Sequence, residues 1–175
     1  FTKNDKSCIT VPFFHCFGLV IAMMACITHG TTMVPVERYS PVPVMNAISV
    51  EKCTAVHGVP TMFIAMLEHA QFNNFDFSSL RTGIMAGSPC PIEVMKKVID
   101  KMNMREIVIV FGQTEASPGC TMTTTSDSID KRVNTVGRAF PGVECKIIDP
   151  ESGEELPITT PGEFCARGYN IMKGY

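Results

Sequence analysis

The chain has 175 residues, of which 45% are hydrophobic and 18% charged, and its formal net charge is −2. This balance supplies ample apolar material for a core and excludes a chain that is mainly disordered. Fifteen basic against seventeen acidic residues leave no basic field for nucleic acid or an anionic membrane. No apolar stretch reaches the roughly 18 residues of a transmembrane helix. We therefore expect one domain, or one domain with part of a second.

The first two-thirds of the chain alternate between apolar runs and helical patterns. The runs are almost wholly apolar, which is typical of parallel strands covered by helices on both faces. Ser40 before Pro41 predicts a helix start, because Ser is a favoured N-cap and Pro fits the first turn. A helix is predicted over residues 17–29, and strands are predicted over residues 31–36, 54–59, 81–86 and 106–111. Four such units predict an α/β fold with an open, mostly parallel sheet and flanking helices.

The pattern changes after about residue 120. Short apolar runs over residues 143–149 and 163–167, separated by turn residues, indicate antiparallel strands. We place a boundary near residue 130. An α/β subdomain is predicted over residues 1–130, and the beginning of a small antiparallel β subdomain over residues 131–175.

The eight cysteines are spaced too widely for a zinc knuckle, since no two lie within about four residues of each other. Most sit in apolar runs, which favours buried, reduced thiols. Reduced thiols predict a cytoplasmic protein, because disulfides form mainly in oxidising compartments. An adventitious disulfide or a reactive thiol remains the alternative.

The most informative motif follows the last predicted strand. Phe111 and Gly112 end that strand, and Thr114 and Glu115 come directly after it. Open α/β sheets bind ligands outside the carboxyl ends of their strands, and a glycine there permits a close backbone approach. A threonine hydroxyl suits a phosphate oxygen, and a carboxylate suits Mg²⁺. The alternative is a glycine turn with a solvated glutamate.

A second segment lies at the same predicted edge of the sheet. Gly87, Ser88 and Pro89 follow the third strand and precede a helix, so a flat base fits between their backbone and the ring of Phe111. An ordinary capped turn is the alternative. The segment lacks the glycine pattern of a hydrolase nucleophile elbow, and the chain contains no phosphate-cradling loop that ends in Lys-Ser or Lys-Thr.

His15 lies in an aromatic run over residues 11–19. A single histidine in such a run is more often a pocket-wall residue than a metal ligand, and no other histidine has ligand-like spacing with it. Val59 and Met85 join His15 as candidates for the wall of a substrate pocket.

Four motifs in this order resemble the adenylate-forming superfamily, which includes acyl-CoA synthetases, luciferase and peptide-synthetase adenylation domains. Residues 111–115 resemble its aromatic-Gly-x-Thr-Glu motif. The resemblance covers essentially the whole chain and is greatest to medium- or long-chain fatty acyl-CoA synthetases. The other three motifs are an aromatic-His segment at residues 12–18, the Val-Gly-Arg segment at residues 136–142, and the Gly-Glu…Arg-Gly…Gly-Tyr segment at residues 161–175.

The resemblance implies a two-step reaction. A carboxylate attacks the α-phosphorus of ATP to give acyl-AMP and pyrophosphate, and the thiol of coenzyme A then takes the acyl group and releases AMP. It implies that Thr114 binds phosphate, that Glu115 helps to hold Mg²⁺, and that both are catalytic. The implied nucleotide site consists of Gly87, Ser88, Pro89, Phe111, Gly112, Gln113 and Thr114, and the implied acyl pocket is bordered by His15, Gly112 and Gln113.

The chain departs from the family pattern at Phe111, where the family usually has tyrosine, so a phenolic hydrogen bond is absent. The family's phosphate loop, ribose-binding aspartate and catalytic lysine are not in the sequence, so we expect a piece of a longer enzyme that is inactive alone. Two alternatives remain open, namely transfer of the acyl group to a carrier protein and a non-catalytic binding module.

Overall fold

The computed structural model describes residues 1–175 and contains nine strands in two sheets. The larger sheet has seven strands in the order β2-β1-β3-β4-β5-β6-β7. The first five strands are parallel, and the last two continue the sheet in antiparallel register. Its strands are β1 (Lys6–Ile9), β2 (Thr32–Pro35), β3 (Ala55–His57), β4 (Thr82–Ala86), β5 (Glu106–Gly112), β6 (Gly119–Met122) and β7 (Arg138–Ala139).

Helices connect these parallel strands. A π-helical segment, Phe17–Met24, continues into α1, Ala25–His29, between β1 and β2. Ser40 occupies the N-cap of the next helix, and Pro41 stands in its first turn, as the sequence predicted. The remaining helices are α2 (Pro41–Glu51), α3 (Pro60–Leu67), α4 (Ile92–Lys101) and α5 (Ile129–Asn134).

The predicted α/β class is confirmed, and so are the four predicted strands. The count of parallel strands was wrong, because β1 is a fifth one and lies second in the strand order, inside the edge strand β2. Its residues, Lys6–Ile9, are half polar and do not form an apolar run. Tertiary pairing makes it a strand, since it lies between β2 and β3 and bonds to both.

The smaller sheet is a pair of antiparallel strands, β8 (Val143–Ile148) and β9 (Glu163–Gly168), which confirms the predicted antiparallel character of this region. Residues 138–139 still belong to the larger sheet, so the change of sheet comes between Ala139 and Val143. The subdomain boundary near residue 130 stays a prediction.

The two faces of the larger sheet are packed to different extents. A cluster of 18 buried residues fills one face, under α2, α3 and α4. A smaller cluster of seven lies on the other face, under the helical segment 17–29. All eight cysteines are free, four of them buried and four partly exposed. None of the helices has both the length and the apolar character needed to cross a membrane.

Candidate functional site

The carboxyl ends of β4 and β5 border two clefts. The large cleft has a volume of about 790 Å³ and the small cleft about 310 Å³. Gly87, Val110 and Gly112 line both of them, so the clefts lie on opposite sides of one backbone rim. This is the edge at which open α/β sheets bind ligands, and the residues of the implied nucleotide site and acyl pocket lie at it, together with Glu115.

The large cleft is bordered by backbone-rich and apolar residues. Gly87, Ser88 and Pro89 form one wall, and the ring of Phe111, which is 39% exposed, forms the other. Phe164 of β9 meets Phe111 edge-on, with ring centroids 5.0 Å apart and an interplanar angle of 84°. Such packing restrains the Phe111 ring, while the residue stays partly exposed to the cleft. The arrangement suits a planar heteroaromatic ring.

Gly87 has a backbone reason to be glycine. Its φ is +87°, a left-handed conformation that other residues adopt only with strain, and a Cβ there would lie 3.0 Å from Val59 Cγ1. The turn from β4 into the next helix therefore depends on this glycine before any ligand is considered.

The sequence reasoning missed the third wall of the large cleft. Residues 133–137, at the end of α5 and just beyond it, line the cleft opposite the β4 turn. The Val-Gly pair at 136–137 belongs to the Val-Gly-Arg segment, to which the sequence assigned no part in the site. Gly137, with φ +81° and no room for a Cβ beside Met122, was the available signal of a constrained turn.

The small cleft brings His15 together with the loop after β5. Cys16 connects the two segments, because its Sγ lies 3.6 Å from Thr114 Oγ1. His15 Nδ1 accepts a hydrogen bond from the backbone N–H of Phe17 at 3.1 Å, so the neutral ring carries its proton on Nε2. The cleft is lined by His15, Cys16, Phe17, Ile21, Ala86, Gly87, Val110, Gly112, Gln113, Thr114, Glu115 and Pro118.

The predicted site residues thus divide between the two clefts. Gly87 and Gly112 line both; Ser88, Pro89 and Phe111 line the large cleft. Gln113 and Thr114 line the small one, beside His15. Met85 was wrong as a pocket candidate, because its side chain is fully buried in the larger core cluster.

Gly112 is glycine for a different reason from the one expected. A Cβ there would lie 1.9 Å from the backbone oxygen of Pro118, so the close approach is made by the chain itself. The loop after β5 folds back onto the strand through Gly112, and β6 begins at Gly119. This reversal turns Thr114 and Glu115 toward the small cleft.

Glu115 is the only side chain with a formal charge that lines either cleft. The hydroxyl of Tyr175 donates a hydrogen bond to its carboxylate, and this bond holds the pKa of Glu115 below its usual value. Glu115 is therefore an anion at neutral pH. A carboxylate repels phosphate unless a cation lies between them, so Glu115 fits the part of one magnesium ligand beside a phosphate.

Comparison with known proteins agrees with this geometry. The family model described as AMP-binding enzyme matches residues 1–175. The chain is 55% identical over 174 residues to the putative acyl-CoA synthetase YngI of Bacillus subtilis, covering 99% of this chain and 32% of that protein. It is 43% identical over 174 residues to the mitochondrial medium-chain acyl-CoA ligase ACSF2 of Danio rerio, covering 99% and 29%.

A solved structure shows the same fold. The long-chain-fatty-acid-CoA ligase FadD1 of Archaeoglobus fulgidus superposes with a TM-score of 0.88 at 23% identity, covering all of this chain and 36% of that one. The chain spans about a third of the length of these relatives. The family match over its whole length, together with the identity to the acyl-CoA synthetases, shows that the chain belongs to the AMP-binding enzyme family.

Proposed function

We propose that the chain is the central part of an ATP-dependent acid–thiol ligase that adenylates a fatty acid and transfers the acyl group to coenzyme A. The observation that carries the proposal is the pair of clefts joined at Gly87 and Gly112. One cleft suits a planar base and the other leads past apolar residues to Thr114 and Glu115. Two substrates bound on the two sides of one rim meet at that rim, which is the geometry that an adenylation needs.

Each group in the chain has a part in the proposed first step. The base lies between the Gly87 turn and the Phe111 ring, and the Thr114 hydroxyl donates to a phosphate oxygen. Apolar residues of the small cleft, among them Phe17 and Ile21, exclude water from the acyl chain. Positioning the attacking carboxylate and stabilising the charge on phosphate are the main tasks in a displacement at phosphorus.

Magnesium belongs to the proposal through Glu115. Mg²⁺ is usually held by one or two carboxylates together with substrate phosphates, and the chain supplies one carboxylate at this position. When bound, the ion neutralises negative charge on the phosphates. Glu115 contributes by staying ionised next to the cleft, which the hydrogen bond from Tyr175 favours.

The names of the relatives support a CoA-linked product. YngI is named a putative acyl-CoA synthetase and ACSF2 a medium-chain acyl-CoA ligase. The chain covers only about a third of either, so the acceptor and the acid remain part of the proposal. The cytoplasmic location expected from the cysteines also remains a prediction, and the Danio rerio relative is named as mitochondrial.

The test is acid-dependent exchange of pyrophosphate into ATP, measured on the complete protein that contains this chain with fatty acids of increasing length. Exchange followed by thioester formation with coenzyme A supports the proposal. Pyrophosphate exchange followed by acyl transfer only to a carrier protein favours the alternative of a carrier-protein adenylation domain. ATP binding without pyrophosphate exchange favours a non-catalytic binding module. The isolated 175-residue chain is expected to give neither AMP nor acyl-CoA.

A further inference from the structure

The loop that carries Thr114 and Glu115 has few bonds of its own. Within it, the N–H of Ala116 donates to the carbonyl of Gln113 at 2.9 Å, and the N–H of Ser117 donates to the carbonyl of Thr114 at 3.1 Å. These two bonds shape a single turn of 3₁₀-helix, Thr114–Ala116. They do not fix how that turn sits relative to the rest of the site.

Bonds from outside the loop supply this fixation. The side-chain nitrogen of Asn170 donates to the carbonyls of Ala116 and Gly119, both at 2.8 Å. The backbone N–H of Met172 donates to the carbonyl of Glu115, also at 2.8 Å. Asn170 and Met172 follow β9 directly, so the end of the smaller sheet holds the loop that follows β5.

The chemistry of these contacts suits an amide. Two carbonyl oxygens face Asn170 Nδ2, and its NH₂ group offers one hydrogen to each of them. The amide oxygen, Oδ1, is buried and has no hydrogen-bond partner. A buried polar atom without a partner is unfavourable, so the side chain is placed for its two donated bonds and not for its oxygen.

We propose that Asn170 is a positioning residue for Thr114 and Glu115. This role rests on the proposed adenylation. It bridges the loop at Ala116 and at Gly119, and so sets the direction of the two side chains just before the bridge. Preorganised groups accelerate a reaction because they need no rearrangement when charge develops. Without the bridge, the side chains of Thr114 and Glu115 are still present, but the turn that carries them can move.

The decisive variant is Asn170→Asp in the complete protein. It keeps the size of the side chain but places a carboxylate against two carbonyl oxygens. Asn103 provides a matched control, because its Nδ2 also bridges two backbone carbonyls, those of Ser78 at 3.0 Å and Leu80 at 2.8 Å. Asn103 is partly buried like Asn170 and lines neither cleft. Asn103→Asp therefore makes the same chemical change at a distant loop.

In pyrophosphate exchange, we expect the turnover of Asn170→Asp to fall about 10²-fold, since misplacement of a catalytic group by about 1 Å has effects of this size. The KM for the fatty acid stays within about twofold, because the apolar wall of the small cleft is unchanged. Asn103→Asp lowers the melting temperature and keeps its turnover. Wild-type turnover in Asn170→Asp, or an equal loss in Asn103→Asp, would overturn the proposal.

A second measurement separates this proposal from the proposed function. Amide hydrogen exchange at Ala116 and Ser117 is expected to be faster in Asn170→Asp than in the wild type and unchanged in Asn103→Asp. If the wild type adenylates no acid, the proposed function fails. Hydrogen exchange at the amides of Ala116 and Ser117 then still decides whether Asn170 holds the loop. Asn170→Ser, which removes the bridge without adding charge, is expected to lose less turnover than Asn170→Asp. If neither Asn170→Asp nor Asn170→Ser folds, a positioning role is contradicted.

Discussion

The core beneath α2, α3 and α4 and the rim at the ends of β4 and β5 belong to one sheet but follow different rules. The core cluster consists of apolar side chains, most of them with no exposed surface. At the rim, Phe111 is 39% exposed, Gly87 has a left-handed backbone, and Thr114 is exposed. Packing determines the core, whereas a few hydrogen bonds and backbone conformations determine the rim.

The difference teaches that stability and chemistry can be changed separately in this chain. Removing packed volume from the core lowers the free energy of unfolding without changing which groups face the clefts. Changing a polar group at the rim alters the reaction while most of the packing remains. In the complete protein, substitutions in the core and at the rim should therefore separate stability from turnover.

Phe63→Ala should lower the free energy of unfolding by about 3–5 kcal/mol, because it empties a fully buried aromatic site. Turnover per folded molecule should be unchanged. Urea unfolding and an exchange assay on the folded protein measure the two quantities. Phe14→Ala is the control, since Phe14 is 94% exposed and its loss should change stability by less than about 0.5 kcal/mol. Equal losses of unfolding free energy at Phe63 and Phe14 would contradict the idea that packing of buried side chains determines stability.

Glu115→Gln should reduce the turnover of pyrophosphate exchange about 10²-fold, equivalent to roughly 2.7 kcal/mol of transition-state stabilisation. The change removes the negative charge proposed to hold magnesium and keeps the shape of the side chain. Thermal unfolding should be unaffected. The matched variant Glu93→Gln, on the exposed side of α4, should keep full turnover. A Glu115→Gln protein as active as the wild type would remove Glu115 from the site.

The buried His57, beside the smaller core cluster, should make the free energy of unfolding depend on pH. Burial lowers the pKa of His57 to about 4, both ring nitrogens lack partners, and the rings of Phe1 and Phe17 lie against it. The unfolded chain takes up a proton near pH 6.5, whereas the folded chain does so only near pH 4. Stability contributed by neutral His57 is therefore present above pH 6.5 and is lost as the pH falls toward 4.

His57→Leu should abolish this pH dependence. Between pH 7.5 and pH 5, the free energy of unfolding of the wild type should fall by about 2 kcal/mol more than that of the variant, since 1.36 kcal/mol corresponds to one pKa unit. Urea unfolding at the two pH values measures the effect. Parallel pH profiles for the two proteins would show that His57 is protonated or paired in the folded state.

Gly87→Ala should lower the free energy of unfolding by only about 1 kcal/mol, from the strain of a side chain at φ +87°. It should also raise the KM for ATP, because the turn forms a wall of the large cleft. Gly153→Ala is the matched control, since Gly153 has φ +74° and nothing within 4 Å of an added Cβ. We expect a loss of stability in both, larger at Gly87 because of the contact with Val59, and a higher KM only at Gly87. An unchanged KM in both would make Gly87 a turn residue alone.

The location of the site could be predicted because its signals are local. An apolar run that ends in Phe111 and Gly112 marks the end of a strand, and the carboxyl ends of parallel strands share one edge. The two-cleft arrangement could not be predicted in this way. Whether Thr114 faces the same cleft as Phe111 depends on how the chain reverses at Gly112 against Pro118, which is a contact between segments.

The sequence by itself determined the α/β class, the four apolar strands and the family, because hydrophobic patterns and motifs are properties of neighbouring residues. Tertiary structure alone decided that the half-polar residues Lys6–Ile9 form an internal strand, since pairing with β2 and β3 outweighs their local preference. It also decided that Asn170 bridges a loop 54 residues earlier, at Ala116, and 51 residues earlier, at Gly119. Bonds across such separations depend on the folded path of the chain, and no local pattern records that path.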